Sequence, residues 1–524
     1  MLTSTSHARR SERRAVIVGV AQLRRKPGLD GPWEPVEPAR LMATAIHAAA
    51  DDAGDGRLVT EADTLACVDP IAWGYDALTE TVGDMVGTTG PASPRPPEGL
   101  TAAPGGNSPC DLLNRVATRI VEGESRVALL AGSEALYSRR RAGRDGIDLV
   151  GRGWTPFTGH RDFLKGQRPF ANPLEARHGL TAPIHVYPLF ENALRAEADR
   201  TIDEHQRFLG ELMAAHAAVA AANPYAWFPT AYTPDEITTV SPDNRAVCFP
   251  YPKRMNAIME VDQADALVVM SSDEAARRGI PESRRVTFLG GGSASDAWTV
   301  TERSTLTSSP AYRAAATAAL EHSCLYATEV ELFDLYSCFP SAVQLAMKAL
   351  SLAADDPRPR TVTGGLAYAG GPGNSYSTHA LAAMVARLRS TPAGVGYVSA
   401  LGMSATKHAV SVLSNEPSRV AAATGKVSAN LPVPDKARLG PPLVDQPAPG
   451  PATIETYTVE YGRDGLPVPS MLVLRLHDGR RTVANGDLAD VRALVTEEGV
   501  GKKGRVSPGA DGGPNQFSLG RGAP

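Results

Sequence analysis

The chain has 524 residues, 43% of them hydrophobic and 21% charged, with a net charge of −4 at neutral pH. That length exceeds one ordinary core and implies two or three domains of globular composition. The near-balanced charge gives no ground for nucleic acid or a membrane surface as partner. Five unclustered cysteines, Cys67, Cys110, Cys248, Cys324 and Cys338, lack metal-ligand spacing and fit a reducing cytoplasm better than a disulfide framework.

Met1 to Arg14 is rich in Ser and Arg, and the apolar run Ala15–Val20 behind it is too short for the core of a signal peptide. No window reaches membrane-spanning length, so the expected location is the cytoplasm. The first half then reads as strand Ala15–Val20, helix Pro38–Ala53, strand Leu65–Val68, helix Asp111–Glu122, strand Val127–Ala131 and strand Ala266–Met270. The second half repeats the order. Strand Val286–Leu289, helix Pro310–Glu321 and strand Val330–Leu335 are followed by helices Pro340–Leu350 and Ser375–Arg389, then strands Val395–Ala400 and Ala409–Leu413. Pro38 and Pro310 sit where a first helical turn tolerates a missing N–H, and Gly54 is a stop signal. Leu113, Val116, Ala117 and Ile120 recur at helical spacing, as do Leu381, Met384, Val385 and Leu388. The strands are continuous apolar runs, as expected when helices cover both faces. Two α/β layers of matching order predict a pseudo-symmetric pair of sheets.

In each half a Gly-rich turn feeds a helix: Pro104-Gly105-Gly106-Asn107-Ser108 in the first, Gly370-Gly371-Pro372-Gly373-Asn374-Ser375 in the second. Free N–H groups and the helix dipole at such a turn favour an anion or oxyanion; tight helix–sheet packing is the alternative. Ser138 to Asn256 is an insertion with one long helix pair, and Thr201-Ile202-Asp203-Glu204 is a capping box opening a helix that runs to Asn223-Pro224. Insertions of this length commonly form a lid or substrate-binding subdomain. From about Pro417 the text becomes Pro-rich. Alternating Tyr457, Val459 and Tyr461, a turn at Asp464-Gly465, strand Met471–Leu476 and a turn at Asp478-Gly479 then predict a small β-barrel of the oligonucleotide/oligosaccharide-binding (OB) type. Nothing basic or aromatic in it resembles a nucleic-acid groove, and the Gly/Pro-rich tail after Lys503 reads as partly flexible.

Several stretches, in this order and spacing, resemble the thiolase superfamily: Ala15-Val-Ile-Val-Gly-Val-Ala, Val127-Ala-Leu-Leu-Ala-Gly-Ser-Glu-Ala, Val261-Asp-Gln-Ala-Asp-Ala-Leu and Gly364-Gly365 through Gly370-Gly371-Pro372. With the C-terminal β-domain, the chain is most similar to thiolase-like proteins of type 1, often named acetyl-CoA acetyltransferases. The resemblance implies an α/β duplicated thiolase fold of two βαβαβαββ halves in five layers. Its domains are 14–273 with the loop domain 138–256, then 284–416, a linker 417–450, and an OB-like barrel 451–524.

The resemblance also places four catalytic loops, and this chain departs from three of them. The family's nucleophilic Cys falls on Gly106, its activating His on Gly371 and its acid/base Cys on Ala400 of Ala400-Leu401-Gly402. Cys110 lies about one helical turn past Gly106 and reads as a packing residue. The remaining loop, Tyr336-Ser337-Cys338-Phe339, keeps polar side chains. Each general acid or base is worth about 10²–10⁴-fold in rate, so losing three leaves binding and orientation. Candidate catalytic residues are Tyr336, Cys338 and His379, with a buried structural histidine as the competing reading of His379. His408 is the nearest titratable replacement in the fourth loop. Candidate substrate or CoA contacts are Gly106, Asn107, Ser108, Gly370, Gly371, Asn374 and Gly402. Arg152, His160, Arg161, Lys165, Arg168 and Arg177 either meet CoA phosphates or form a solvated basic face.

Three functions compete. The first is binding of CoA or acyl-CoA in lipid metabolism without ordinary acetyl transfer. The second is cleavage of acyl-CoA C–C bonds, as in retro-aldolases with a tyrosine-led loop, and the third is a non-catalytic assembly subunit. No cofactor or metal is expected beyond CoA itself. The approach to the nucleophile loop, Pro91 to Pro104, carries Pro94, Pro96 and Pro97 and makes a poor pairing edge, so the expectation is a monomer or weak dimer.

Overall fold

The computed structural model describes residues 13–88, 96–159 and 168–520. Its principal elements in the first half are β1 (Ala15–Arg24), α1 (Pro38–Ala53), β2 (Thr64–Cys67), β3 (Glu98–Leu100), α2 (Ser108–Glu122) and β4 (Val127–Ala135). The insertion supplies α3 (Pro183–Glu197) and α4 (Ile202–Ala222), and β5 (Asp262–Ser271) completes the half. The second half has β6 (Val286–Ser295), α5 (Pro310–His322), β7 (Leu332–Asp334), α6 (Pro340–Ala349), α7 (Tyr376–Arg389), β8 (Val395–Gly402) and β9 (Lys407–Ser414).

The duplication is exact in pairing sense. In the first half β1 pairs antiparallel with β5, β5 antiparallel with β4, and β4 parallel with β2. In the second, β6 pairs antiparallel with β9, β9 antiparallel with β8, and β8 parallel with β7. The expected pair of sheets is joined: the first strands of the halves touch through Val16–Thr287 and Ile17–Val286, giving one ten-stranded sheet with nine strands in a continuous path. Helices α2 and α7 lie between the halves, α1 covers the outer face of the first, and α5 and α6 that of the second. The repeat reaches single residues. A Cβ on Gly19 of β1 would collide with the Ala49 carbonyl of α1, and one on Gly292 of β6 with the Ala315 carbonyl of α5. Each half thus needs a glycine where its first helix lies tight on its first strand.

The Pro-rich stretch is not free linker throughout. Residues Pro417–Ala422 are helical, and β10 (Val427–Leu431) adds to the edge of β6. Five further strands close a barrel: β11 (Gly450–Thr458), β12 (Met471–Leu476), β13 (Arg481–Gly486), β14 (Lys503–Ser507) and β15 (Gln516–Leu519). The tail expected to be flexible supplies the last two, because β14 finds partners on both sides, in β11 and β15. The barrel is fastened to the rest. Arg481, 2% exposed, pairs with Glu455 and donates to the Thr301 and Arg303 carbonyls at 2.7 Å each. Asn192 of α3 donates to the Tyr457 carbonyl at 2.9 Å, and Arg195 of α3 pairs with Glu498. The Thr201 capping box opens α4 as predicted. Among the described residues no helix is long and apolar enough to cross a membrane. Strand β3 is three residues long, and Pro91 and Pro94 lie outside the described residues.

Candidate functional site

Four loops meet at one end of α2. The first, Pro104 to Ser108, is pinned by the Ser108 hydroxyl, which donates to the Gly105 carbonyl at 2.7 Å. The second leaves β7 at Asp334. That buried carboxylate accepts from Thr361 Oγ1 at 2.8 Å and from the Tyr376 hydroxyl at 3.0 Å. It fixes the point from which Tyr336-Ser337-Cys338-Phe339 projects, and the Tyr336 N–H donates to Ser399 Oγ at 3.0 Å. The third holds its shape through the Gly371 N–H, which donates to the Ile258 carbonyl at 2.8 Å, and the Asn374 amide, which donates to the Asp69 carbonyl at 2.9 Å. The fourth is Ala400 to Gly402 at the end of β8.

These loops close a cavity of about 710 Å³. Its lining is apolar at Phe170, Ile184, Met259, Leu366 and Met403, with polar groups at Tyr336, Cys338 and Asn374. Size and lining are those of a small-molecule site, mostly apolar with a few placed polar groups. Of the residues expected there, Gly106, Tyr336, Cys338, Gly371 and Asn374 line it. Asn107, Ser108, Gly370 and Gly402 build it from behind. Asn107 donates to Asp111 and crowds Gly402, and Gly370 lies against Gln263. A second opening of about 670 Å³ lies on the barrel between His178 and Arg505 and contains none of the expected site residues.

The geometry at Gly106 decides what this cavity can do. A Cβ there would lie 2.5 Å from the Leu401 carbonyl oxygen and 2.7 Å from Tyr336 Cζ, with the Tyr336 hydroxyl closer still. The phenol therefore fills the space in which a side chain at position 106 would stand. The hydroxyl forms no hydrogen bond to a described residue, and burial pushes its pKa far above the ordinary phenol value, so it remains a proton donor. Burial likewise raises the Cys338 thiol to about 12, against a hydrogen bond with Tyr187 that lowers it, so no thiolate forms there near neutral pH. Asn107 is the N-cap of α2. Neither its N–H nor that of Gly106 has an acceptor among the described residues.

His379 does not reach the cavity. It is 1% exposed on the face of α7 turned to β5, where Nδ1 meets Asp265 Oδ1 at 3.0 Å. Cys110 is fully buried in the central layer, its thiol directed to the Val398 carbonyl at 3.9 Å. His408 lies on the other side of its sheet, 3.0 Å from Ser309 Oγ and stacked on Tyr312 with centroids 5.0 Å apart. Of the basic residues, Arg177 pairs with Asp445, while Arg152 and Arg168 are exposed. His160, Arg161 and Lys165 lie outside the described residues. Among the described residues no cluster of His, Cys, Asp and Glu is arranged to hold a metal ion.

Three participants were not among the expected site residues. Tyr187 of α3 lines the cavity, stacked on Phe339 at 4.5 Å, its hydroxyl donating to the Met403 carbonyl at 3.2 Å and accepting from the Ala405 N–H at 3.1 Å. Glu134 at the end of β4 accepts from the N–H groups of Ile71, Ala72 and Ala135 and crowds Gly373 of the third loop. Lys407 stands behind the first loop. Glu134 sits inside the Ala-Gly-Ser-Glu-Ala text already singled out for the family resemblance, which was the available signal.

A solved structure of a monomeric SCP2-thiolase like protein type 1 from Mycobacterium smegmatis is similar over nearly the whole molecule. It has 30% identity and a TM-score of 0.77, covering 97% of this chain and 99% of that one. The chain belongs to the thiolase-like protein type 1 family. Residues 432–512 match the family model for the thiolase-like protein type 1 additional C-terminal domain, which here comprises most of the barrel and the run into it. A structure described as an Ltp2-ChsH2(DUF35) aldolase has 17% identity and a TM-score of 0.57, covering 76% of this chain and 97% of that one; it shares the fold. No curated protein matches the sequence. Within this thiolase-like type 1 chain, the loop end of the cavity is occupied by a tyrosine seated against a glycine.

Proposed function

We propose that this thiolase-like type 1 protein binds a CoA thioester with its acyl group in the 710 Å³ cavity, and that it does not carry out acyl transfer through a cysteine. The observation that carries the reading is the Tyr336 phenol against Gly106: the position that would bear a nucleophile has neither a side chain nor room for one. What the loop end offers instead is donors, namely the Tyr336 hydroxyl and the Gly106 and Asn107 N–H groups at the positive end of α2. Donors of that kind suit a thioester carbonyl, and the apolar lining suits the acyl chain. Calorimetric titration with CoA and acetyl-CoA tests it. Binding of both, with no condensation or thiolysis product, is the expected result; no detectable heat at millimolar ligand sinks it.

A second reading is favoured by the uncommitted Tyr336 hydroxyl and by the fold shared with the aldolase structure. In a retro-aldol cleavage the β-hydroxyl of an acyl-CoA gives its proton to a base, the Cα–Cβ bond breaks, and its electrons pass into the enolate of the thioester. Burial holds Tyr336 protonated, so its role there is donor to the enolate oxygen or acid at Cα, with the base supplied separately. Tyr336→Phe should then abolish cleavage of a β-hydroxyacyl-CoA without unfolding the chain. Full activity in that variant rules the role out.

A further inference from the structure

β9 opens with Lys407 directly opposite Gly402 of β8. From there its stem passes beneath the junction of the first and fourth loops. The ammonium donates to the Pro104 carbonyl at 2.6 Å and reaches the Ala103 carbonyl at 3.5 Å. A Cβ on Gly105 would be 3.0 Å from Nζ, and one on Gly402 would be 3.1 Å from Cε. The charge therefore sits immediately behind the turn that presents Gly106, and Lys407 is only 9% exposed.

A cation is not stable in that place by default. It lies near the N-terminal end of α2, where the helix dipole is positive, and burial lowers its pKa to about 8 while Asp111 in the first turn of α2 works to raise it. Burial in turn raises Asp111 to about 6, opposed by Asn107, Lys407 and Arg115. On the β6 side, Asp296 is turned to Ser309 and His408 instead. Two main-chain carbonyls of one turn converge on the ammonium, and charge-assisted bonds of this kind are about twice as strong as neutral ones.

We propose that Lys407 is a positioning residue for the polar end of the cavity, its ammonium tying the carbonyls of Ala103 and Pro104 so that the Gly106 and Asn107 N–H groups face a thioester oxygen beside the Tyr336 hydroxyl. The ligand in this statement rests on the thioester reading above; the tether does not. Below about pH 8 the ammonium is charged and the turn is held, and above it the tether weakens. Asp111 has already ionised at that point and contributes no second step in the window.

Octanoyl-CoA, whose thioester does not titrate, is the probe, bound calorimetrically to the full chain on both sides of pH 8. The unaltered chain should lose about tenfold in affinity across that step, the scale of a lost charged hydrogen bond. Lys407→Met should bind about tenfold more weakly below the step and show no pH dependence. In the same two proteins without ligand, amide hydrogen exchange of residues 103–107 at one fixed pH should be faster in Lys407→Met, relative to peptides of the barrel. A flat profile in the unaltered chain, or wild-type affinity in a folded Lys407→Met, overturns the proposal. Should the unaltered chain bind no octanoyl-CoA, the thioester reading fails. The exchange comparison then decides the tether, and equal exchange overturns it.

Discussion

Placing a cysteine at position 106, where the family resemblance puts a nucleophile, is the sharpest test of the site geometry. Gly106→Cys meets no backbone obstacle, since Gly106 is not among the residues with positive φ. The obstacle is space. The new Cβ would lie 2.5 Å from the Leu401 oxygen and nearer still to the Tyr336 hydroxyl, where ordinary contact begins at 3.4 Å. The Leu401 oxygen belongs to a strand end and cannot retreat, so Tyr336 must swing out of its slot. That forfeits its edge contact with Tyr376, whose centroid is 5.4 Å away and which is worth about 0.5–1.5 kcal/mol. Overpacking adds about 1–3 kcal/mol, and a total of about 1.5–4.5 kcal/mol is expected. With about 2.1 cal/mol/K of unfolding entropy per residue over 524 residues, the midpoint should fall by only about 1–4 °C, so scanning calorimetry must be paired with a double-mutant cycle. In a Tyr336→Ala background the contact with the Leu401 oxygen remains but no tyrosine has to be displaced, so the same Gly106→Cys change should cost less by about 0.5–1.5 kcal/mol, a coupling within the range for residues in contact. A Gly106→Cys protein of unchanged stability, with the thiol seated beside an unmoved Tyr336, would refute the argument that phenol and nucleophile exclude one another.

Arg481→Met should cost about 3 kcal/mol, the low end for breaking a buried pair because Glu455 keeps Arg475. The readout is faster hydrogen exchange in β13 and in residues 301–303, whose carbonyls lose their donor; unchanged protection would show that the barrel is held by other contacts. His216 is fully buried, its Nδ1 2.9 Å from the Leu212 carbonyl, and burial lowers its pKa from 6.5 to about 4. Between those values the unfolded chain binds a proton that the native chain refuses. Stability therefore falls with decreasing pH through that window by about 1.4 kcal/mol per unit at most, and urea titrations of His216→Leu should show a slope reduced by that amount. Gly19→Ala should destabilise by about 2–3 kcal/mol through the collision with the Ala49 carbonyl, measured by the shift in urea midpoint; a neutral result would mean that α1 does not lie tight on β1.

What was legible in the sequence follows from where the signals reside. Pro38 and Pro310 start α1 and α5 at those residues, because a proline at the first turn is a local device. Strand ends were less legible. β1 runs past Val20 to Arg24 because Gln22, Leu23 and Arg24 pair with Asp265, Ala264 and Gln263, and pairing across some 240 positions leaves no apolar run to see. β10 was invisible for a related reason: its text, Val-Ser-Ala-Asn-Leu, is polar at two of five positions, since the strand is a partly exposed edge whose only strand partner among the described residues is β6. The Gly/Pro-rich segment after Lys503 gave no strand signal and still closes the barrel, since ladder hydrogen bonds to β11 and β15 override weak propensity.

The site was legible as a list of loops and illegible as a space. Counting from motifs placed Gly106 and Tyr336 in different loops, 230 positions apart, with no indication that one is the reason for the other. The fourth loop shows how fine the missing information is. His408 read as the nearest titratable replacement there, yet successive residues of a strand point to opposite faces. Pairing of Gly402 with Lys407 and of Leu401 with His408 sends the lysine toward the first loop and the histidine toward Tyr312 and Ser309. One residue of register thus separates a group buried in an outer layer from one lying behind the turn that presents Gly106. Because that register depends on how β9 pairs with both β8 and β6, the electrostatics of this cavity are a property of the assembled sheet. Substitutions that shift β9 by one residue should disturb the first loop as much as substitutions within it.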